Sequence, residues 1–394
     1  MIKSLYVHIP FCNQICSYCD FPKVFSEGQD TDAYLTALLT ELAIYEKKFG
    51  FSELQTVYIG GGTPTVLTVE QFDRLFTYLH SVIDFRYLAE VSIEANPESL
   101  NNIEKVACLK RHGVTRVSLG VQTFQERHLQ VLERSHCQKD VCEVVGLLAA
   151  QGFEINLDMI YGIPTQTPQE WEKDLDTLLQ LPITHISAYS LILEEHTKFY
   201  INYMKNQLEP IDNEVEAQMF EMVIDKLTAA GFDHYEISNF TRSKRSAHNM
   251  TYWKNDYYIG VGLGAHGHVE NKLEKSDTGI AREILRGDRI RYENTRSITT
   301  YKKALQSGKL PVLNSHVLTL KACIEESMFL GLRLMEGVNI SELSNRYHQD
   351  VFQLYKECID KLKNLDYVNL EADMLRLTKK GLMMANDVFE EFLL

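Results

Sequence analysis

The sequence predicts an α/β fold, a partial (β/α)6 barrel followed by a small helical, winged-helix-like C-terminal domain. Three observations predict it. Apolar runs of strand length alternate six times with helix-period segments through the first half of the chain. A loop with three cysteines directly follows the first of those runs, and barrels of parallel strands carry their ligands beyond the strands' carboxyl ends. From residue 320 the chain reads helix, helix, helix, short strands, helix.

Residues 5–9 read as a short buried strand. Helical periodicity over 32–49 leads to a strand at 54–59, and the helix at 68–82, opened by a Thr68/Gln71 capping box, leads to a strand at 89–95. A helix at 101–112 precedes the fourth strand, 115–120; helical material to 151 precedes the fifth, 154–161. Thr167, Pro168 and Glu170 supply a cap, a first-turn proline and a third-position acid for the next helix, and 185–193 reads as the sixth strand. Repeated βα units with right-handed crossovers give one parallel sheet. In the amphipathic helix at 212–231, Val215, Met219, Val223 and Leu227 mark the buried face. Beyond it the sequence turns irregular. The expected divisions are 1–232 for the barrel, 233–315 for an accessory segment and 316–394 for the C-terminal domain.

With 394 residues and 45% hydrophobic content, the chain can bury a large core. Its net charge of −14 argues against a nucleic-acid partner, because phosphate neutralisation needs a cationic face. Winged helices often bind DNA, yet this one has no strongly basic helix and ends in the acidic pair Glu390 and Glu391. Cys108, Cys137, Cys142, Cys323 and Cys358 are dispersed, as reduced thiols are, so a cytoplasmic location is expected. No apolar run approaches the ~18 residues that cross a bilayer, and the opening residues do not read as a signal peptide.

The chemistry centres on Cys12, Cys16 and Cys19. Structural zinc takes four closed nitrogen or sulfur ligands, and only His8 lies near enough in sequence to be the fourth. A cubane iron–sulfur cluster on three thiolates leaves one iron open to a small molecule. After the second strand, Gly60-Gly61-Gly62-Thr63-Pro64-Thr65 lets backbone amides approach a ligand closely, and it lacks the Gly-Lys-Ser/Thr ending of a P-loop. Glu94 and Gln122 end the third and fourth strands and Asp158 lies in the fifth; buried carboxylates need partners, and Arg134 is the expected one for Asp158.

Further along, in His248-Asn249-Met250-Thr251-Tyr252-Trp253, the residues alone favour a hydrogen-bonded core histidine over a haem ligand, although a histidine nitrogen can ligate haem iron and Tyr or Trp can face its macrocycle. The stretch from Gly260 to His268 contains G-x-G-x-x-A, but it continues into glycine, histidine and charged residues, not the helix of a dinucleotide fingerprint. Arg282, Arg286, Arg289, Arg291 and Arg296, interrupted by Glu283, Asp288 and Glu293, form a basic run that reads first as a solvated face and whose arginines also suit the carboxylates of a porphyrin.

The Cys-x3-Cys-x2-Cys spacing, with Tyr18 before the last cysteine, resembles the radical S-adenosylmethionine (SAM) superfamily. The resemblance implies a 4Fe–4S cluster on Cys12, Cys16 and Cys19, with SAM chelating its open iron, in a six-unit partial barrel. The GGGTPT stretch is similar to that of coproporphyrinogen-oxidase-like members. By that resemblance Tyr6, Gly61, Gly62, Thr63 and Glu94 would line SAM, and Gln122, Arg134 and Asp158 the adjoining space where a second SAM can sit in the oxidases. His248, Asn249, Tyr252 and Trp253 match the HNxxYW signature of the subgroup's haem-chaperone branch. That match implies haem as the bound molecule and haem-accepting respiratory membrane proteins as partners. Phe21 stands where the oxidases usually carry a fourth cysteine, and the extension they usually carry before the cysteine loop is missing. A coproporphyrinogen III dehydrogenase is therefore the second expectation, and a zinc-stabilised scaffold the third.

Overall fold

The computed structural model describes residues 1–271 and 288–393; Arg282, Glu283 and Arg286 lie outside the described residues. Its frame is a twelve-stranded sheet. In chain order the strands are β1 (Ser4–Ile9), β2 (Thr56–Gly61), β3 (Glu90–Ala95), β4 (Arg116–Gln122), β5 (Glu154–Tyr161), β6 (His185–Ser190), β7 (Asp233–Glu236), β8 (Asn239–Thr241), β9 (Tyr258–Val261), β10 (His266–Glu270), β11 (Arg289–Asn294) and β12 (Val312–Val317). Their spatial order is β12-β11-β10-β9-β1-β2-β3-β4-β5-β6-β8-β7.

Strands β1 to β6 are parallel neighbours, as the alternation of strands and helices predicts. Their side chains are mostly buried along the whole strand, the pattern of a sheet covered on both faces. Between them run the helices Thr31–Phe49, Val69–Val82, Ile103–Arg111, Gln138–Ala150 and Pro168–Leu178. The capping boxes at Thr68 and Thr167 form as read. The sixth strand ends at Ser190, short of the expected 193.

The segment after 232 departs from the irregular structure expected of it. Strand β8 pairs antiparallel with β6 and β7 antiparallel with β8, β9 pairs parallel with β1, and β10 to β12 continue as an antiparallel meander. Its glycines hide the strand pattern because close packing leaves no room for a side chain. A Cβ on Gly260 would overlap the His266 carbonyl oxygen, and one on Gly262, at φ +104°, would lie 2.5 Å from that of His8.

Glu41, fully buried in the first helix, fastens this added sheet to the barrel. One carboxylate oxygen accepts the Gly262 N–H at 2.8 Å and the Tyr301 hydroxyl at 2.5 Å; the other accepts the Asn294 amide at 2.7 Å. Burial pushes the Glu41 carboxyl up to about 7 against the pull of these donors.

The C-terminal residues pack around a core of their own that includes Met328, Val351, Ile359, Leu375 and Phe392. Helices Leu320–Gly331 and Ile340–Tyr347 precede a segment that breaks at Tyr355 into Val351–Leu354 and Lys356–Asn364, where one continuous helix was expected. The strands Val338–Asn339, Val368–Glu371 and Met374–Leu377 form the small antiparallel wing. Arg333 lays its guanidinium 4.6 Å over the Trp253 ring, joining this unit to the barrel side. Among the described residues no helix is long and apolar enough to cross a membrane.

Candidate functional site

The carboxyl ends of the parallel strands surround a cavity of about 340 Å³. Cys12, Cys16 and Cys19 line it from one side, and Gly61, Gly62, Thr63, Glu94, Gln122, Arg134, Asp158 and Asn249 from the strand ends and the loops beyond them. The cysteine loop is pinned by the two-residue strands Phe11–Cys12 and Val24–Phe25 and by the Thr63 N–H, which donates to the Phe11 carbonyl at 2.8 Å. A Cβ on Gly62 would stand 2.8 Å from the Cys12 sulfur, so the glycine turn and the loop are packed without space between them.

Burial pushes the Cys12 thiol up to about 11 and raises Cys19, a cost that a positively charged metal centre would offset. Among the described residues the only three potential ligands with donor atoms all within 4.8 Å of one another are Asp73, Cys108 and His112, on the outer helices. The three loop sulfurs are spread more widely. A single zinc ion would draw them to about 3.8 Å from one another at its usual bond length, whereas a cubane presents separate iron corners. His8 does not serve as a fourth ligand here. Its Nδ1 lies 3.0 Å from the Tyr6 hydroxyl and its Nε2 2.7 Å from the Pro22 carbonyl. The donor set therefore fits a cluster with one open iron.

Glu94 is held over this cavity by the Tyr58 hydroxyl and the Gly61 N–H, each donating at 2.8 Å. Burial pushes its carboxyl up to about 7. Gly60 leaves the room Glu94 needs, since a Cβ there would lie 2.8 Å from its carboxylate. Asp158 is partly buried, and desolvation raises its carboxyl; its oxygens accept from Ser118 at 2.9 Å and Asn156 at 2.7 Å. The pairing expected between Asp158 and Arg134 is not made. Arg134 instead donates to the Asn96 side chain at 2.9 Å, to the Gly120 carbonyl and, at 3.4 Å, to the Cys16 sulfur. Neutral donors on neighbouring strands satisfy the acid, and the arginine is drawn to the sulfur side. Gln122 lines the cavity at φ +69°, a left-handed conformation at the end of β4.

A second cavity, of about 330 Å³, adjoins the first and shares Phe21, Gly61 and Glu94 with it. Tyr6 and Tyr252 line this one, along with His266 and Arg296. The helix Ala247–Trp253 runs beside both cavities and divides its signature residues. Asn249 reaches the first cavity and Tyr252 the second, while His248 and Trp253 reach neither. His248 is fully buried beneath Tyr58, its ring stacked 5.0 Å away. Its Nδ1 lies 2.8 Å from the Thr56 hydroxyl and its Nε2 2.8 Å from that of Tyr252, so both nitrogens are engaged. Burial lowers its pKa to about 3. Trp253 turns away to Arg333.

Sequence reasoning passed over Tyr58 and Asn96 at the first cavity. For Tyr58 the signal was present, since an inward position two residues before the glycine turn faces the same space as Gly60.

The Radical SAM superfamily model matches residues 6–178, and the HemN C-terminal domain model residues 318–384. The chain is 39% identical to the haem chaperone HemW of Lactococcus lactis, over 100% of this chain and 97% of that protein. It is 38% identical to the Bacillus subtilis HemW, over 100% and 99%. Among solved structures, coproporphyrinogen III oxidase (HemN) from Escherichia coli superposes with a TM-score of 0.81 at 21% identity, covering 99% of this chain and 90% of that one. That likeness is one of fold. Membership of the superfamily implies a 4Fe–4S cluster and SAM. On sequence, fold and cysteine loop together, the chain belongs to the HemW family within the radical SAM superfamily.

Proposed function

We propose that the protein is a haem chaperone that holds haem beside a SAM- and cluster-bearing barrel and passes it to respiratory membrane haemoproteins. The observation that carries this reading is the full-length likeness to HemW proteins, together with the HNMTYW helix that walls both cavities. Phe21 supports it, standing exposed where the two cavities meet.

In this reading Cys12, Cys16 and Cys19 hold the cluster, which when bound supplies an open iron for SAM and a store of one electron. The Gly61 and Gly62 backbone, Thr63 and Glu94 receive SAM's polar groups. Tyr6 backs that wall, its hydroxyl against His8. Gln122, Arg134 and Asp158 bound the adjoining space.

The test is anaerobic reconstitution of cluster and SAM, followed by haem titration and transfer to a haem-free respiratory acceptor. One haem per chain, delivered to the acceptor, is the expected result. Turnover of coproporphyrinogen III under the same conditions would identify a dehydrogenase instead.

A further inference from the structure

We propose that His266 is the iron ligand for haem, which enters the second cavity and sets a propionate against Arg296. This rests on the haem-chaperone reading above.

A haem ligand needs a ring nitrogen whose lone pair is free and faces space. Near the cavities, His8 and His248 each have both nitrogens within hydrogen-bond distance of a partner. His268 has an unpartnered Nε2, but that atom is buried and the residue lines neither cavity. His266 differs on every count. It is exposed, it lines the second cavity, and among the described residues no hydrogen-bond partner reaches its ring.

The sheet fixes its direction. Gly267 faces the Tyr292 ring so closely that a side chain there would overlap it, so alternation turns His266 to the opposite face of β10. Before it, Gly264 at φ +64° lets the backbone pass against Pro22 of the cysteine loop. The imidazole is thereby set at the rim of the loop, on the side of the second cavity.

The rest of the cavity offers a flat, mostly apolar molecule an aromatic wall, with Asp20 and Glu94 as its acidic members and Arg296 as its one arginine. Tyr252 and Tyr258 form an edge-to-face pair at 4.7 Å in its wall, and Phe21, 58% exposed, extends an aromatic surface at its mouth. Arg296 is exposed at the same rim, and among the described residues it forms no hydrogen bond or ion pair. A free guanidinium beside an aromatic wall is matched to a carboxylate.

The test uses the full chain with its cluster reconstituted anaerobically. Haem is titrated into wild type, His266→Leu, His266→Cys, Arg296→Gln and His248→Leu, each checked for folding by circular dichroism and followed by optical and paramagnetic resonance spectra. His266→Leu is expected to lose the imidazole signature, and His266→Cys to replace it with a thiolate signature, which a merely structural role would not produce. Arg296→Gln is expected to weaken binding about tenfold with ligation unchanged. His248→Leu is expected to keep the wild-type signature. Wild-type ligation in both His266 variants, or its loss in folded His248→Leu alone, overturns this inference and leaves the haem reading standing. Failure of wild type to bind haem overturns both.

Discussion

The carboxylate of Glu90, at the start of β3, accepts the backbone N–H of Ala247 at 2.8 Å and so caps the helix that carries the HNMTYW signature. Its other oxygen accepts from the Ser246 hydroxyl at 3.2 Å and from the His248 N–H at 3.4 Å. A buried acid on a central strand thus orders the first turn of a short helix 157 residues further along the chain.

Replacing Glu90 with alanine is expected to destabilise the protein by about 1–3 kcal/mol, the range for hydrogen bonds to a charged group and for donors left unsatisfied. Denaturant unfolding measures it. Trp253 fluorescence, quenched or shifted through Arg333, reports whether this helix loosens first. An unchanged midpoint would mean that water caps the helix as well as Glu90 does.

Cys16→Ser is expected to abolish the cluster while leaving the fold intact, because Cys16 is only partly buried and its sulfur meets the polar groups of Arg134 and Tyr18, which a serine hydroxyl can also meet. Iron and sulfide analysis of anaerobically reconstituted protein checks the first half and circular dichroism the second. Undiminished iron would remove Cys16 from the ligand set.

For SAM, affinity is expected to rise as pH increases through about 7, because the Glu94 carboxyl ionises there and then attracts the cationic ligand. Glu94→Gln keeps an acceptor for Tyr58 and Gly61 but should bind more weakly above pH 7 and lose that pH dependence. Calorimetric titration on either side of neutrality decides between charge and hydrogen bonding.

Glu41 gives a stability prediction of opposite sense. Its folded pKa of about 7 lies above the ordinary value of 4.5, so the folded state holds the proton more tightly. Its contribution is most favourable below pH 4.5 and is lost as pH rises through 7, a change of roughly 3 kcal/mol at most. The difference in unfolding free energy between wild type and Glu41→Gln should therefore shift in favour of the variant across that interval. A difference independent of pH would show that the three donors keep Glu41 ionised throughout.

Strands β1 to β6 and the cysteine loop were legible in the sequence because each strand is an apolar run bounded by turn residues, and because three thiols so close together have few other uses. Strand β9 was not, since Tyr258–Val261 is four residues long and ends among glycines selected for close contact. The partner of Arg134 was equally hidden. Which acceptor it meets depends on the relative placement of β4, β5 and the cysteine loop, and neutral side chains proved sufficient for Asp158. For the histidines, sequence singled out His248 by its neighbours, while only the fold reveals that its ring is saturated and that of His266 is not.

The parallel pairing of β1 with β9 sets Ser4 beside Tyr258, so the strand that leads into the cysteine loop lacks one neighbour until a far later segment has been made. At about 5–20 residues per second, ribosomes take on the order of ten to fifty seconds to cover that separation. Through that interval one edge of β1 stays unpaired, and contacts this distant in sequence form slowly. The wall bearing His266 is completed later still, so in the order of synthesis the thiols emerge long before the second cavity exists.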